Sequence, residues 1–207
     1  MNRHIAAAVV HDVKNRLVIL GDELAKLDRL PLDPEARQHA SAAAEQAGLL
    51  SRKLIALLTA QRASGPEGLR AAIREESPAL FLEELSADAL ALAGRRIELI
   101  VEVDDAPPFW FFDRHLIGLA IDSALHNALR FAAARITLGC RVEAAQLCFF
   151  VHDDGPGVQA DACATSTGLG RWLCDEIAKC HKNGGRQGHS VLRDHEMGGA
   201  VFELWLP

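Results

Sequence analysis

The chain has 207 residues, of which 49% are apolar and 24% are charged, a balance typical of globular proteins. This composition excludes disordered, collagen-like and purely coiled-coil proteins, and the length suits one domain or two small ones. Tyrosine is absent and only 5% of the residues are aromatic. We therefore expect a core built from Ala, Leu, Val and Ile, which favours helix.

The formal net charge is −6, and the basic residues form no block, which argues against a nucleic-acid partner. No apolar stretch approaches the roughly 20 residues that cross a bilayer, and the N-terminus has no signal-peptide pattern. We expect a cytoplasmic protein without membrane insertion. The cysteines are odd in number and lack CxxC spacing, which indicates reduced thiols that serve packing: Cys140, Cys148, Cys163, Cys174 and Cys180.

The first element is predicted to be a long amphipathic helix, because apolar residues recur at steps of three and four: Ile5, Val9, Val13, Leu17, Leu20, Leu24 and Leu27. Asp33 before Pro34 predicts an N-cap and the first residue of a second amphipathic helix. Two such helices joined by a short loop form an antiparallel hairpin. Since a hairpin cannot bury both apolar stripes alone, we expect a homodimer that forms a four-helix bundle.

Turn-forming residues concentrate at 63–68 and separate a hairpin domain, residues 1–63, from a second domain, residues 70–207. Strands flanked by helices favour an α/β sandwich for the second domain and an α+β class for the chain. The predicted helices lie around 78–93, 114–133 and 170–180, and the predicted strands around 97–103, 136–140, 146–152 and 200–206.

His11 lies about 180° from the apolar stripe of the first helix, so its imidazole is expected on the solvent face. Asp12 and Lys14 flank it, and Asn15 lies four residues on along the same face. A solvent-facing histidine is by itself an ordinary surface residue. A functional role for His11 therefore depends on motifs elsewhere in the chain.

Three segments of the second domain carry polar groups suited to a nucleotide. Asp153, at the end of an apolar strand, can accept a hydrogen bond from an amine such as that of adenine, although the following glycines also suit a plain turn. The run 168–170 opens a helix whose backbone amides suit a polyphosphate. Asn127, on the preceding helix, can complete a Mg²⁺ shell, and Arg130 shares its side and can meet a phosphate.

In chain order these segments resemble the motifs of two-component sensor histidine kinases. Residues 11–15 resemble the H-box, 127–131 the second half of the N-box, 153–157 the G1 box, 168–170 the G2 box and 198–202 the G3 region. The resemblance implies a dimerisation and histidine-phosphotransfer hairpin. It also implies that an ATP-binding sandwich of the histidine kinase, Hsp90 and gyrase (GHKL) type follows the hairpin.

The resemblance also implies roles for individual residues. His11 would attack the γ-phosphorus of ATP while Asp12 orients and deprotonates its imidazole, and a response regulator would receive the phosphoryl group. Asp12 and Asn15 match the pair that positions water for dephosphorylating the regulator. ATP and Mg²⁺ are the implied cofactors, with Mg²⁺ on Asn127 and the nucleotide on Asn127, Arg130, Asp153, Gly155, Gly157, Gly168, Leu169 and Gly170.

Two alternatives stay open at this point. Only nine residues separate Val158 from Gly168, which is short for an ATP lid, and Ser123 and Ser166 stand where the family usually has Asn and Gly. A dimeric histidine phosphotransferase that relays phosphate between regulators without ATP is one alternative, and an adaptor with an inert His11 is the other. Only ten residues precede His11, so we expect any signal to arrive through another chain or segment.

Overall fold

The computed structural model describes residues 33–63, 65, 68–93, 97–158, 168–196 and 198–207, together with 13, 16–17, 19–24, 26–27 and 30–31. The chain divides into two compact units, Met1–Gly65 and Pro66–Pro207. The predicted H-box residues His11, Asp12 and Asn15 lie outside the described residues. Within the described residues, no helix has both the length and the apolar character needed to span a membrane.

In the first unit the described positions between 13 and 27 are helical, and helix α1 spans Pro34–Ala63. The predicted cap of α1 is confirmed, because Asp33 Oδ1 accepts a hydrogen bond from the Ala36 amide at 2.8 Å. Pro34 then occupies the first helical position, where its missing N–H costs nothing.

The apolar stripes of the first unit are only partly covered within one chain. Leu24, Ala47 and Ala56 are buried. Larger apolar side chains stay 40–56% exposed, namely Leu20, Leu27, Leu50 and Leu57.

The second unit holds three helices and nine strands among its described residues. The helices are α2 Pro78–Ala93, α3 Arg114–Phe131 and α4 Leu169–Cys180. The strands are β1 Arg74–Glu76, β2 Glu98–Glu102, β3 Trp110–Phe112, β4 Arg135–Glu143, β5 Gln146–Asp153, β6 Lys182–Asn183, β7 Arg186–Gln187, β8 His189–Asp194 and β9 Ala200–Leu206.

Five strands form one mixed sheet in the order β2-β4-β5-β9-β8. The β2–β4 pair is parallel and the other neighbours are antiparallel. The three central strands β4, β5 and β9 bury runs of consecutive residues, and seven residues of α3 are also buried. Phe81, Phe112 and Phe149 meet edge to face with ring centroids 5.4–5.5 Å apart. The mixed sheet with helices on it confirms the predicted sandwich and the α+β class.

The predicted helices and strands of the second unit are confirmed with small shifts at their ends. Five strands were not predicted: β1, β3, β6, β7 and β8. Each is short or polar and is held by a partner strand, such as β1 by β3 and β8 by β9. The pattern of apolar residues within one segment carries no information about which strand will pair with it, so these strands could not be predicted.

Candidate nucleotide site

A cleft opens in the second unit where α3 and α4 face β5, β8 and β9. Its walls are mainly apolar, formed by Ala124, Ala128, Phe131, Val151, Leu192, Ala200 and Phe202. A few polar groups interrupt them, namely Ser123, Asn127, Asp153 and Arg171. An apolar cleft with a small number of polar groups is the usual form of a small-molecule site.

Asp153 is the last residue of β5 and is only 8% exposed. Its Oδ1 accepts a hydrogen bond from the Gly155 amide at 2.9 Å, and no other described residue donates to its carboxylate. A Cβ at Gly155 would lie 2.4 Å from the Phe131 carbonyl oxygen, so only glycine lets the chain turn there. The turn thus leaves Asp153 Oδ2 available to accept from a ligand in the cleft.

Asp154, the next residue, has a different role in the site. Its exposed Oδ1 accepts hydrogen bonds from the amides of Ala133, Ala134 and Arg135 at 2.8–3.1 Å. These bonds, that of Ala134 foremost, lower the pKa of the Asp154 carboxyl below its ordinary value of 3.8. They also explain why α3 ends at Phe131 and not near residue 133 as predicted: the following amides bond to Asp154 and not to helix carbonyls.

The turn between β8 and β9 packs against the end of β5. Asp194 Oδ1 accepts a hydrogen bond from the Val158 amide at 2.7 Å. The rings of His152 and His195 are stacked with centroids 3.8 Å apart, and His152 Nε2 lies 3.2 Å from the Gly198 carbonyl oxygen. Burial, followed by the charge of His152, lowers the pKa of His195. The turn therefore holds the strand end that carries Asp153.

Helix α4 begins beside α3. Gly168 precedes it with φ +65° and accepts the first helical hydrogen bond, from the Trp172 amide at 3.0 Å. A Cβ at Gly170 would lie 3.1 Å from Ser123 Oγ, so the first turn of α4 lies close to the α3 face that carries Ser123. Ser123, Gly170 and Arg171 all line the cleft.

The structure brings together four of the eight predicted nucleotide-binding residues as cleft lining: Asn127, Asp153, Gly157 and Gly170. The Gly155 amide donates a hydrogen bond to the Asp153 carboxylate. Gly168 and Leu169 lie at the start of α4. The Arg130 guanidinium lies over the Phe131 ring, 4.9 Å from its centroid, and Arg130 is not among the lining residues.

Arg171 and Cys174 line the cleft although the sequence motifs do not single them out. Cys174 Sγ lies 3.7 Å from the Ala120 carbonyl oxygen, and burial raises the pKa of the thiol to about 12. The available signal is helical spacing: Gly170, Arg171 and Cys174 lie on one side of a helix that begins at the glycine-rich run.

Comparison with known proteins agrees with this geometry. Residues 112–207 match the family of histidine kinase-, DNA gyrase B-, and HSP90-like ATPases. The chain is 27% identical to the two-component sensor PhoQ of Pseudomonas aeruginosa over a 220-residue alignment, which covers 98% of this chain and 46% of PhoQ. It is 33% identical over 129 residues to the alginate biosynthesis sensor protein KinB of the same species, covering 55% of this chain and 21% of KinB.

Among solved structures, full-length ShkA in complex with AMPPNP has a similar fold, with a TM-score of 0.67, 20% identity and coverage of 100% of this chain and 46% of ShkA. Sheet order, cleft and family match together define a GHKL-type ATP-binding domain. The similarity to the sensor PhoQ, which extends over 98% of this chain, supports a two-component histidine kinase that contains such a domain. It spans about half the length of PhoQ and about a fifth of KinB.

Proposed function

We propose that the chain is the catalytic core of a two-component histidine kinase, which phosphorylates His11 with ATP and passes the phosphoryl group to an aspartate of a response regulator. The observation that carries the proposal is the cleft, in which the buried carboxylate of Asp153 stands among apolar walls. The proposed domains are a phosphotransfer hairpin, residues 1–63, and an ATP-binding domain, residues 70–207.

The residues of the cleft fit an adenine nucleotide. An adenine ring presents two apolar faces and an exocyclic amine, and Asp153 Oδ2 is positioned at the strand end to accept from such an amine. Phe131, Val151 and Phe202 supply apolar surface for the ring. The AMPPNP held by ShkA, which shares this fold, supports a nucleotide as the ligand here.

Mg²⁺ would bind with the nucleotide. The exposed Asn127 amide supplies an oxygen of the kind Mg²⁺ prefers. The described residues contain no group of three or more His, Cys, Asp or Glu that could hold a metal, so Asn127 would share the ion with phosphate oxygens. The ion would neutralise charge on the transferring phosphoryl group.

In the proposed reaction a neutral nitrogen of the His11 imidazole attacks the γ-phosphorus. An N–P bond forms, the bond from phosphorus to the bridging oxygen breaks, and ADP leaves. Asp12 takes the proton from the other imidazole nitrogen. Transfer to the regulator then breaks the N–P bond and forms an O–P bond on its aspartate. In a separate hydrolysis, Asp12 with Asn15 would position a water that attacks this phosphorus, breaks the aspartyl O–P bond and releases inorganic phosphate.

The chain is proposed to act as a cytoplasmic homodimer. The exposed leucines of the first unit, Leu20, Leu27, Leu50 and Leu57, support the proposal, because a second copy would bury them in a four-helix bundle. The competing function is ATP-independent phosphate relay through His11.

Titration of the full chain with ADP in Mg²⁺, followed by isothermal calorimetry, tests the nucleotide site. Asp153→Asn should weaken binding about tenfold or more, since a hydrogen bond to a charged group is lost. Asp104→Asn, the same change at an exposed turn after β2, is the matched control and should bind as the parent chain does.

Labelling with γ-phosphate-labelled ATP tests the chemistry. Acid-labile label should appear on the parent chain and be absent from His11→Gln. If the parent chain binds no nucleotide but His11 accepts phosphate from a phosphorylated regulator, the relay function replaces the kinase function. Label that persists in His11→Gln would refute His11 as the acceptor.

A further inference from the structure

We propose that Arg171, in the first turn of α4, is the side chain that binds the polyphosphate of the nucleotide and so makes this cleft prefer nucleotides to nucleosides. The inference rests on the proposed nucleotide site and names a residue for it that the sequence motifs do not contain. It assigns to Arg171 the phosphate contact that the motif pattern predicts for Arg130.

Arg171 lies on the wall of the cleft formed by the start of α4. It lines the cleft together with Gly170 and Cys174, which share its side of the helix. Among the described residues that line the cleft, Arg171 is the only one with a positive charge. An arginine guanidinium has a planar set of N–H donors that suits phosphate oxygens.

The side chain of Arg171 is available for a ligand. It is 44% exposed, and its Nε lies 4.0 Å from Asp175 Oδ2, one helical turn away. An exposed pair of this kind contributes little to stability. The Asp175 carboxylate also accepts a hydrogen bond from the Ser190 hydroxyl. Arg171 can therefore turn to a phosphate without leaving Asp175 unpaired.

Arg130 is in a different situation. Its guanidinium stacks over the Phe131 ring at 4.9 Å from the centroid, and it is absent from the lining of the cleft. Phe131 itself lines the cleft, whereas the Arg130 guanidinium contacts its ring without being among the lining residues. Moving it to a phosphate would require loss of the cation–π contact.

The charges of the cleft match an adenine nucleotide. The acidic group, Asp153, is on β5, and the cationic group, Arg171, is on α4. An adenine nucleotide has an amine donor on its base and negative charge on its phosphates. A nucleoside lacks that charge, so Arg171 should affect the two classes of ligand differently.

The test compares Arg171→Leu, Arg171→Lys, Arg130→Leu and Lys179→Leu in the full chain with Mg²⁺. Calorimetry measures binding of ADP and adenosine, and tripolyphosphate serves as a probe without adenine. Lys179→Leu removes one positive charge from the last turn of the same helix, where Lys179 pairs with Glu176 at 3.0 Å, and is the matched control.

Arg171→Leu should weaken ADP binding about tenfold or more, as expected for losing a charge-assisted hydrogen bond. It should abolish most tripolyphosphate binding and leave adenosine binding within about twofold. Arg171→Lys should retain part of the ADP affinity because the charge remains. Lys179→Leu and Arg130→Leu should bind ADP nearly as the parent chain does.

An equal loss of ADP and adenosine binding in Arg171→Leu would overturn the inference, since it would indicate a structural effect. Unchanged ADP binding in Arg171→Leu, or a larger loss in Arg130→Leu, would overturn it as well, while the nucleotide site would stand. A parent chain that binds neither ADP nor adenosine would instead refute the nucleotide site, and the Arg171 assignment with it.

Discussion

The contact between Gly199 and the end of β5 leads to a sharp prediction about the architecture of the cleft. Gly199, in the turn before β9, has φ +83°, and a Cβ built on it would lie 1.7 Å from the Asp153 carbonyl oxygen. Gly198, its neighbour, has φ +97°, but a Cβ there would meet nothing within 4 Å. Both glycines therefore have a positive φ, but only Gly198 has space for a Cβ.

Alanine at Gly199 should be far more costly than alanine at Gly198. Positive φ costs an L-residue about 1–2 kcal/mol, and both variants pay it. Ordinary contact of a Cβ begins near 3.4 Å, and the Cβ of Gly199→Ala would lie at half that distance from the Asp153 carbonyl oxygen. Because this oxygen belongs to the main chain, no change of side-chain rotamer can relieve the clash. Overpacking of this kind adds about 1–3 kcal/mol, which brings Gly199→Ala to about 2–5 kcal/mol.

Urea unfolding and thermal melting of the full chain measure the difference. For a unit of this size each kcal/mol corresponds to about 3–4 °C in melting temperature, so Gly199→Ala should melt about 6–20 °C lower. Gly198→Ala should melt about 3–8 °C lower. ADP binding should be measured at a temperature and urea concentration at which both variants are folded. ADP affinity should fall in Gly199→Ala, because the added Cβ would displace the backbone of Asp153, and should stay near the parent value in Gly198→Ala.

Equal stability losses in the two variants would refute this reasoning, since they would show that backbone conformation alone sets the cost. Normal ADP affinity in a destabilised Gly199→Ala would show that this turn is not needed to position Asp153 for nucleotide binding. Either result would require another explanation for two consecutive glycines at this turn.

Three further predictions follow from buried or capped groups in the second unit. Burial lowers the pKa of His181 below its ordinary 6.5, so the unfolded chain binds the proton first and the free energy of unfolding should fall as pH drops through 6.5. His181→Gln should flatten that fall in urea titrations at about pH 7.5 and about pH 5.5. Asp154→Ala leaves three amides without their acceptor and should lower the free energy of unfolding by about 1–3 kcal/mol, whereas Asp154→Asn, which keeps an oxygen, should lose less. Burial raises thiol pKa values to about 11 for Cys140 and about 12 for Cys148, Cys174 and Cys180. Iodoacetamide should therefore label these four slowly in the native chain and quickly in urea, as mapped by mass spectrometry, and rapid native labelling would contradict their burial.

The elements that could be predicted are those whose signals are local. The start of α1 depends on Asp33 and Pro34, which are adjacent in sequence, and the side chain caps the amide of Ala36 as expected. The boundaries of α2 and β9 likewise follow from periodicity within one segment. Such signals need no knowledge of the partner that covers the apolar face.

The elements that could not be predicted depend on partners distant in the chain. β1 reads Arg-Glu-Glu and has no strand pattern, but Arg74 pairs with Phe112 across 38 positions. The position of the Arg130 guanidinium is a different case, because it contacts the ring of the next residue in the chain, Phe131. Helical spacing predicts Arg130 one turn from Asn127, but it does not show that the guanidinium stacks on a neighbouring ring.

The adjacent residues Asp153 and Asp154 have different roles, which follow from the register in which β5 pairs with β4. The carboxylate of Asp153 lies buried at the cleft, while that of Asp154 accepts the amides of residues 133–135. Strand β5 sets this division through the pairing of Asp153 with Ile136, because a slip of one residue would exchange the two faces. Asp153→Asn should therefore weaken ADP binding with little loss of stability, and Asp154→Ala should do the reverse. If both variants lost binding and stability together, the two acids would act as one polar cluster and the division of tasks would be wrong.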